Sequence, residues 1–304
     1  MRHKILVTGA CGFLGKHLCR YLNALDLKKE LIGTDNVEIG NQDCQEYYCV
    51  DLVNDDDVNR LINQTKPKYI LHLAGLFSAS SDFQVYKSNV LSVMTILEAV
   101  RKHRSDAVVM IIGSAAEYGL VDSNQLPVNE VTPCEPVTAY GMSKKLATEV
   151  AIYYHRVHGL CTMIARPFQL IGKGVTSRLA PGAFAEQLKG CVLEGNPVIK
   201  VGNLESSRDF LDVQDAIEVL WLMCQQPAPG QIFNLCSGQS VKVRDLLNLM
   251  IEIFGTRVEV EIDKSKLRGR YDVLNIYGSY QKVFQHYGWR PHTPLSTSIR
   301  KMFE

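Results

Sequence analysis

The 304-residue chain contains no apolar run near the ~20 residues that a membrane-spanning helix requires. It also has no charge of one prevailing sign. Its 33 Lys and Arg against 32 Asp and Glu leave a net charge of +1, too small for a general binder of nucleic acid or of an anionic membrane surface. There is no Cys-x-x-Cys, and the nine cysteines are scattered and odd in number. That usage fits reduced thiols in a cytoplasmic protein. Cys44 and Cys49 stand close in sequence with no further Cys or His around them, so no metal site is expected. Met1-Arg2-His3-Lys4 is basic, but the apolar run after it is too short for a signal peptide. What remains is an ordinary globular composition, long enough for one large domain or two unequal ones.

What is present begins at the N-terminus. Lys4 to Val7 is a short apolar run with strand character, followed by Thr8-Gly9-Ala10-Cys11-Gly12-Phe13-Leu14-Gly15. From Lys16 to Leu25 the apolar positions recur at helical spacing. Strand, glycine turn and helix together form a dinucleotide-binding fingerprint. Gly9 permits the sharp turn, Gly12 allows backbone to approach a pyrophosphate, and Gly15 allows close packing of helix on strand. The first helical turn, through Cys11, Phe13 and Leu14, offers unpaired N–H groups and a positive dipole end to phosphates. Asp35 ends a second strand, Leu31 to Thr34, twenty residues beyond Gly15. A carboxylate there accepts ribose hydroxyls and repels a 2′-phosphate, so NAD is the expected cofactor, with NADH favoured over NADPH.

Strands and helices then alternate. Tyr47 to Val50, Tyr69 to Leu73, Ala107 to Ile112 and Leu160 to Ala165 read as strands; Asp55 to Gln64 and Val85 to Lys102 read as helices. The apolar run ending at Ile112 is uninterrupted, as in a strand buried on both faces. The expected fold is therefore α/β, a Rossmann-type doubly wound parallel sheet, with a smaller C-terminal α/β substrate-binding domain. The expected division assigns residues 1–168 to the dinucleotide-binding domain, with 203–235 partly returning to it, and 169–304 mainly to the substrate.

The candidate chemistry lies where the strand ending at Ile112 stops, since ligands in such sheets bind beyond the carboxyl ends of strands. Gly113-Ser114-Ala115-Ala116-Glu117-Tyr118-Gly119 stands there, and Tyr140-Gly141-Met142-Ser143-Lys144 follows. Tyr140 and Lys144 are four apart and share one helical face. A phenol near pKa ~10 is a weak base at neutral pH, and a nearby ammonium favours its ionised form. Tyr140 can thus exchange a proton with a substrate oxygen that Ser114 also binds.

The glycine spacing at the extreme N-terminus resembles the extended branch of the short-chain dehydrogenase/reductase superfamily. In that resemblance Asp51-Leu52 borders the adenine and Leu73-Ala74-Gly75 the pyrophosphate. Asn89 matches the helix asparagine, and Arg166-Pro167-Phe168-Gln169 is similar to Arg-Pro-Phe-Asn, with Gln169 replacing a substrate-contacting asparagine. Lys144 would hold the nicotinamide ribose, and Ser78 in the loop after Gly75 could reach substrate. Val201 to Phe210, containing Arg208, resembles the signature of enzymes acting on GDP-6-deoxyhexoses and GDP-mannose, where the arginine pairs with the diphosphate. Arg268 and Arg270 both stand where a second diphosphate ligand is implied. Glu117 reads as structural. The acids that dehydratases carry directly after the catalytic Ser or Thr are here Ala115 and Ala116, which disfavours dehydration. The resemblance implies an NAD-dependent epimerase/dehydratase-type enzyme acting on a nucleotide sugar. Reduction of the C4 ketone of a GDP-4-keto-6-deoxyhexose is the first reading and 4-epimerisation with retained NAD the alternative. A homodimer through Val85–Lys102 and Tyr140–His158 is also implied.

Overall fold

The computed structural model describes residues 3–25, 29–103, 106–194, 197–267 and 272–304. The chain forms two compact units. The first comprises Met1–Gly119, Pro133–Arg166 and Ile217–Phe233; the second comprises Leu120–Thr132, Pro167–Ala216 and Asn234–Glu304.

In chain order the first unit contains β1 (His3–Thr8), α1 (Phe13–Ala24), β2 (Lys29–Asp35), β3 (Glu46–Cys49), α2 (Asp55–Thr65), β4 (Tyr69–His72), α3 (Asp82–Tyr86), α4 (Ser92–His103), β5 (Val108–Ile112) and α5 (Ala139–His158). Next come β6 (Cys161–Pro167), β7 (Gln169–Ile171), α6 (Ala180–Glu194), β8 (Val198–Val201), β9 (Ser207–Arg208), β10 (Phe210–Asp212), α7 (Val213–Gln225) and β11 (Ile232–Leu235). The chain closes with β12 (Val241–Lys242), α8 (Val243–Phe254), β13 (Glu259–Ile262), β14 (Asn275–Ile276), α9 (Gln281–Tyr287) and α10 (Leu295–Phe303).

The doubly wound sheet expected from the alternation is present. Its seven strands run in the order β11-β6-β5-β4-β1-β2-β3. β1 lies parallel between β2 and β4, so the winding reverses between β1 and β4. That is the switch point at which such sheets bind ligands. All five residues of β5 are buried, as its unbroken apolar run requires. One face of the sheet, with Ile70, Val109, Ile111 and Ile164, packs on Val58, Leu61 and Ile62 of α2, Ile96, Leu97 and Val100 of α4, and Ala147 and Ala151 of α5.

The helices begin where local chemistry allows. Asn54 accepts the amides of Asp56 and Asp57, and three aspartates occupy the first turn of α2, where they suit the dipole. Thr138 caps α5 and Gly159 ends it at φ 68°. The helix expected over Val85 to Lys102 is present as one unbroken helical run that contains a π turn. α3 starts at Asp82, and the π-helical turn, Lys87–Leu91, joins it to α4. The extra residue of that turn carries Asn89 into the interior, where it is 2% exposed.

The second unit contains three small sheets. β7 pairs parallel with β10, β9 lies between β12 and β14, and β8 pairs parallel with β13. Asp209 organises it. One carboxylate oxygen accepts the amide and hydroxyl of Ser237 (2.6 and 2.7 Å); the other accepts the amides of Gly238 and Gly278 (2.9 and 3.2 Å).

A methyl group at Gly15 would stand 2.0 Å from the Gly9 carbonyl oxygen, whereas one at Gly190 in α6 would meet nothing within 4 Å. Gly15→Ala is therefore expected to lower unfolding free energy by about 2 kcal/mol or more. Gly190→Ala is expected to raise it by roughly 0.5–1 kcal/mol. Urea unfolding of both variants checks the pair, and an unchanged midpoint for Gly15→Ala would contradict the packing described.

Candidate active site

The glycine turn lies directly against the end of β4. Gly9 has φ +66°, and a Cβ there would come within 2.7 Å of the Ala74 amide nitrogen and 3.0 Å of the Leu73 carbonyl carbon. Thr8 ties the two strand ends together. Its carbonyl accepts the Leu73 amide (3.2 Å), and its hydroxyl accepts the Ala74 amide (3.2 Å) while bonding His72 Nδ1 (2.8 Å). The Gly12 amide donates to the Gly9 carbonyl (3.0 Å), and Gly12 caps α1 with no side-chain acceptor and no acid in the first turn. The helix end at Phe13, Leu14 and Gly15 is thus left to an anion, next to Leu73 and Ala74, where a dinucleotide pyrophosphate fits.

Asp35 is tethered to this turn. Its Oδ2 accepts the Cys11 amide (3.0 Å) and its Oδ1 the Asn36 amide (2.9 Å). Asp51 is exposed and accepts the Val53 amide (3.2 Å); Leu52 is buried, and its carbonyl accepts the Thr95 hydroxyl (2.5 Å). Asn89 is engaged through its whole amide. It accepts the Leu76 amide (2.7 Å) and donates to the Leu76 carbonyl and the Ser143 hydroxyl (both 2.9 Å). A Cβ at Gly75 would stand 2.8 Å from Asn89 Oδ1 and 3.3 Å from Lys144 Nζ, so the backbone passes tightly over both.

Ser114, Tyr140 and Lys144 come together. Ser114 follows β5 and caps a single 3₁₀ turn, Ala115–Glu117, its Oγ accepting the Ala116 amide (3.1 Å). A Cβ at Gly141 would lie 2.3 Å from the Ala116 carbonyl oxygen, so α5 seats its first turn directly on that 3₁₀ turn. The Tyr140 hydroxyl hydrogen-bonds the Ser114 side chain. Lys144 is buried, donates to the Ile112 carbonyl (2.9 Å) and stands 5.9 Å from the Tyr140 ring centre. Phe77 packs on that ring at 4.9 Å between centres, a neighbour that no local pattern announces.

Burial pushes the Tyr140 phenol above its ordinary pKa, against the Ser114 hydrogen bond, and Glu117 adds to the rise. Lys144 is lowered to about 8 by burial, with Glu117 opposing. An ammonium and the positive ring of an oxidised nicotinamide would together draw the phenol toward ionisation. In the folded chain desolvation prevails, and Tyr140 keeps its proton at neutral pH. His72 is lowered to about 3, mainly by burial and further by Lys144, and lies between Thr8 and Ser92 as a neutral strand-end residue.

Glu117 is fully buried and paired with Arg166, whose Nε and Nη2 approach its Oε2 at 2.9 and 2.8 Å. Its Oε1 accepts the Ser114 amide (2.8 Å), completing a capping box. The Ser-x-x-Glu spacing was the sequence signal for this contact.

Ser78 is exposed in the loop after Gly75 and Pro167 ends β6. Gln169 opens β7, its amide donating to the Asp209 carbonyl (3.0 Å). Arg208 donates to the Ser207 carbonyl (2.8 Å) and faces Asp272 at 3.5 Å. Arg268 and Arg270 fall outside the described residues. Among the described residues no His, Cys, Asp and Glu side chains gather into a metal-binding group, and no helix is long and apolar enough to cross a membrane.

Comparison with known proteins gives similarity over the full length. A GDP-6-deoxy-D-mannose reductase of Pseudomonas aeruginosa is 28% identical, covering 99% of this chain and 96% of its own. A GDP-6-deoxy-D-talose 4-dehydrogenase of Aggregatibacter actinomycetemcomitans is 27% identical, with coverage of 99% and 96%. The solved structure of RMD from Pseudomonas aeruginosa complexed with NADPH superposes with a TM-score of 0.87 at 27% identity, covering 99% of this chain and 97% of that one. That complex corrects the expectation of NAD, with NADH over NADPH. The inference rested on Asp35 alone, and both oxygens of that carboxylate already bind backbone amides of the turn and of its own strand end. The cofactor class is NAD(P).

The neutrality of His72 has a measurable consequence. Its folded pKa of about 3 lies below the ordinary 6.5, so only the unfolded chain takes up the proton as pH falls below 6.5, and stability is lost in that direction. Between pH 7 and pH 5 this group is expected to remove about 2 kcal/mol, a loss absent in His72→Asn. Chemical unfolding at the two pH values measures it, and an equal loss in both proteins would contradict a neutral His72. The glycine cradle at the switch point and the Ser114, Tyr140 and Lys144 cluster agree with the match of one family to residues 5–236, and the chain belongs to that family, the NAD dependent epimerase/dehydratase family.

Proposed function

We propose that the protein is an NAD(P)-dependent oxidoreductase of nucleotide sugars that reduces the C4 ketone of a GDP-4-keto-6-deoxyhexose. The observation that carries this reading is the meeting of Ser114, Tyr140 and Lys144, with the Tyr140 hydroxyl bonded to Ser114 and the buried Lys144 5.9 Å from the Tyr140 ring centre. A phenol carries its proton at neutral pH and can give it to a ketone oxygen becoming an alcohol, provided a cation balances the phenolate left behind. The positions after Ser114 are Ala115 and Ala116, and Glu117 turns inward to Arg166, so no carboxyl group there serves a dehydration. The relatives named for GDP-6-deoxy-D-mannose and GDP-6-deoxy-D-talose support a GDP-6-deoxyhexose as substrate.

A bound nicotinamide dinucleotide supplies the hydride. Gly9, Cys11, Gly12, Phe13, Leu14, Gly15, Leu73, Ala74 and Gly75 would cradle it, with Asp51, Leu52, Asn89 and Pro167 along its length. Ser114 and Tyr140 hold the ketone oxygen between two hydroxyls. Tyr140 gives its proton to that oxygen, and the Lys144 ammonium stabilises the phenolate left behind. Arg208 is assigned to the diphosphate, to which a planar guanidinium is suited. Residues 1–168 would thus serve the dinucleotide and 169–304 mainly the nucleotide sugar.

Incubation with GDP-4-keto-6-deoxy-D-mannose and NADPH or NADH is expected to consume the reduced dinucleotide. Interconversion of UDP-galactose and UDP-glucose without added dinucleotide would instead establish the epimerase and overturn the reductase. Tyr140→Phe is expected to cut turnover by about a hundredfold or more while dinucleotide binding survives. Lys144 loses its charge as pH rises through about 8, so kcat/KM for reduction falls above that pH. A profile rising through pH 8 would contradict the acid role.

A further inference from the structure

The buried ion pair of Glu117 and Arg166 touches neither the glycine cradle nor the Tyr140 hydroxyl, yet the chain makes room for it. A Cβ at Gly113 would stand 2.4 Å from Glu117 Oε1 and 3.1 Å from Arg166 Cγ, so only glycine lets the carboxylate fold back at the end of β5. Glu117 is 0% exposed and Arg166 4%. Arg166 also reaches the Tyr118 hydroxyl through Nη1 (3.4 Å) and lies 5.2 Å from the Tyr118 ring centre. Stability alone does not call for such a pair. Apolar residues of similar volume stabilise a core as well as a buried ion pair does, or better.

What the pair does supply is geometry. The guanidinium holds Oε2 through two nitrogens, which fixes the carboxylate plane and aims Oε1 at the Ser114 amide (2.8 Å). Ser114 is thereby kept extended, at φ −164° and ψ 147°, with its Oγ accepting the Ala116 amide (3.1 Å) and turned to the Tyr140 hydroxyl. The same turn bears α5 where Gly141 meets the Ala116 carbonyl, so Ser114 and Tyr140 take their positions from one support.

We infer that Glu117, locked by Arg166, is a positioning residue for the reaction, setting the Ser114 hydroxyl against the Tyr140 phenol through the Ser114 amide. The inference rests on the ketoreductase reading for its catalytic consequence. Its geometric core, the anchored Ser114 amide, is independent of which substrate is used.

Two double variants separate the acceptor from the charge. Glu117→Gln with Arg166→Gln keeps an oxygen for the Ser114 amide and a neutral hydrogen-bonded pair. Glu117→Met with Arg166→Met fills the space with no acceptor. Both are expected to fold with similar thermal midpoints and to bind NADPH alike. The Met pair is expected to lose about tenfold or more in kcat with KM within about twofold, and the Gln pair, which keeps the acceptor but not the charge, to lose clearly less. Hydrogen exchange of a peptide spanning 113–118 is expected to quicken only in the Met pair. If the Met pair does not fold, Glu117→Ala with Arg166→Met takes its place. Equal kcat and equal exchange in the two double variants would overturn the inference. A wild-type protein that reduces no GDP-4-keto-6-deoxyhexose would overturn the functional reading instead, and the exchange comparison would still decide the role of Glu117.

Discussion

Desolvation of the Tyr140 phenol, opposed by one hydrogen bond with Ser114 and reinforced by the Glu117 carboxylate, raises its pKa, so the proton that the proposed chemistry uses is held more tightly than in water. A phenol in water titrates near ~10 and is neither a good acid nor a good base at neutral pH. Here it is held protonated, its ring packed on Phe77, with an ammonium ready to balance the charge that its proton loss creates. The Lys144 ammonium is itself destabilised by burial, which keeps it within reach of titration near pH 8 rather than a permanent countercharge. The site can therefore donate a proton in one direction and accept one in the other. Glu117 moves both groups the same way and is kept in place by Arg166.

The cradle and the acid share a scaffold. β1 and β4 are neighbours at the reversal of the sheet, and Thr8 binds their ends through its carbonyl and its hydroxyl. Gly9 then turns against Leu73 and Ala74, Gly75 passes over Asn89 and Lys144, and Lys144 is fixed to the end of β5 through Ile112. Three neighbouring strand ends, of β4, β1 and β5, together with α1, the π turn and α5, thus carry the groups from the pyrophosphate cradle to the phenol. Asn89 contributes by its position in a π turn, bridging the loop at Leu76 to Ser143 on α5.

Much of this was legible in the sequence because it is local. The glycine spacing, the unbroken apolar run of β5 and the four-residue step from Tyr140 to Lys144 are local signals, and the sheet follows from them; the meeting of Ser114 with Tyr140, 26 residues on, was legible only from the joint pattern with the glycine fingerprint. The π turn was not legible, since one additional residue leaves a helical pattern looking continuous. The engagement of Asp35 by the Cys11 amide joins residues 24 apart through backbone geometry and is not legible in local spacing. The partner of Glu117 stands 49 residues away, so Ser-x-x-Glu could announce the capping box but not the arginine behind it. The direction of the Tyr140 shift is collective, arising from everything that excludes water from the ring, and no spacing encodes it.

The most direct measurement of the central claim is the fate of the hydride. GDP-4-keto-6-deoxy-D-mannose is given to the protein with a nicotinamide dinucleotide deuterated at the transferring position, and the sugar product is weighed by mass spectrometry. A reductase with Tyr140 as acid predicts one deuterium in the sugar for each dinucleotide oxidised. Conversion of a nucleotide sugar with no deuterium gained and no net oxidation of the dinucleotide would contradict it.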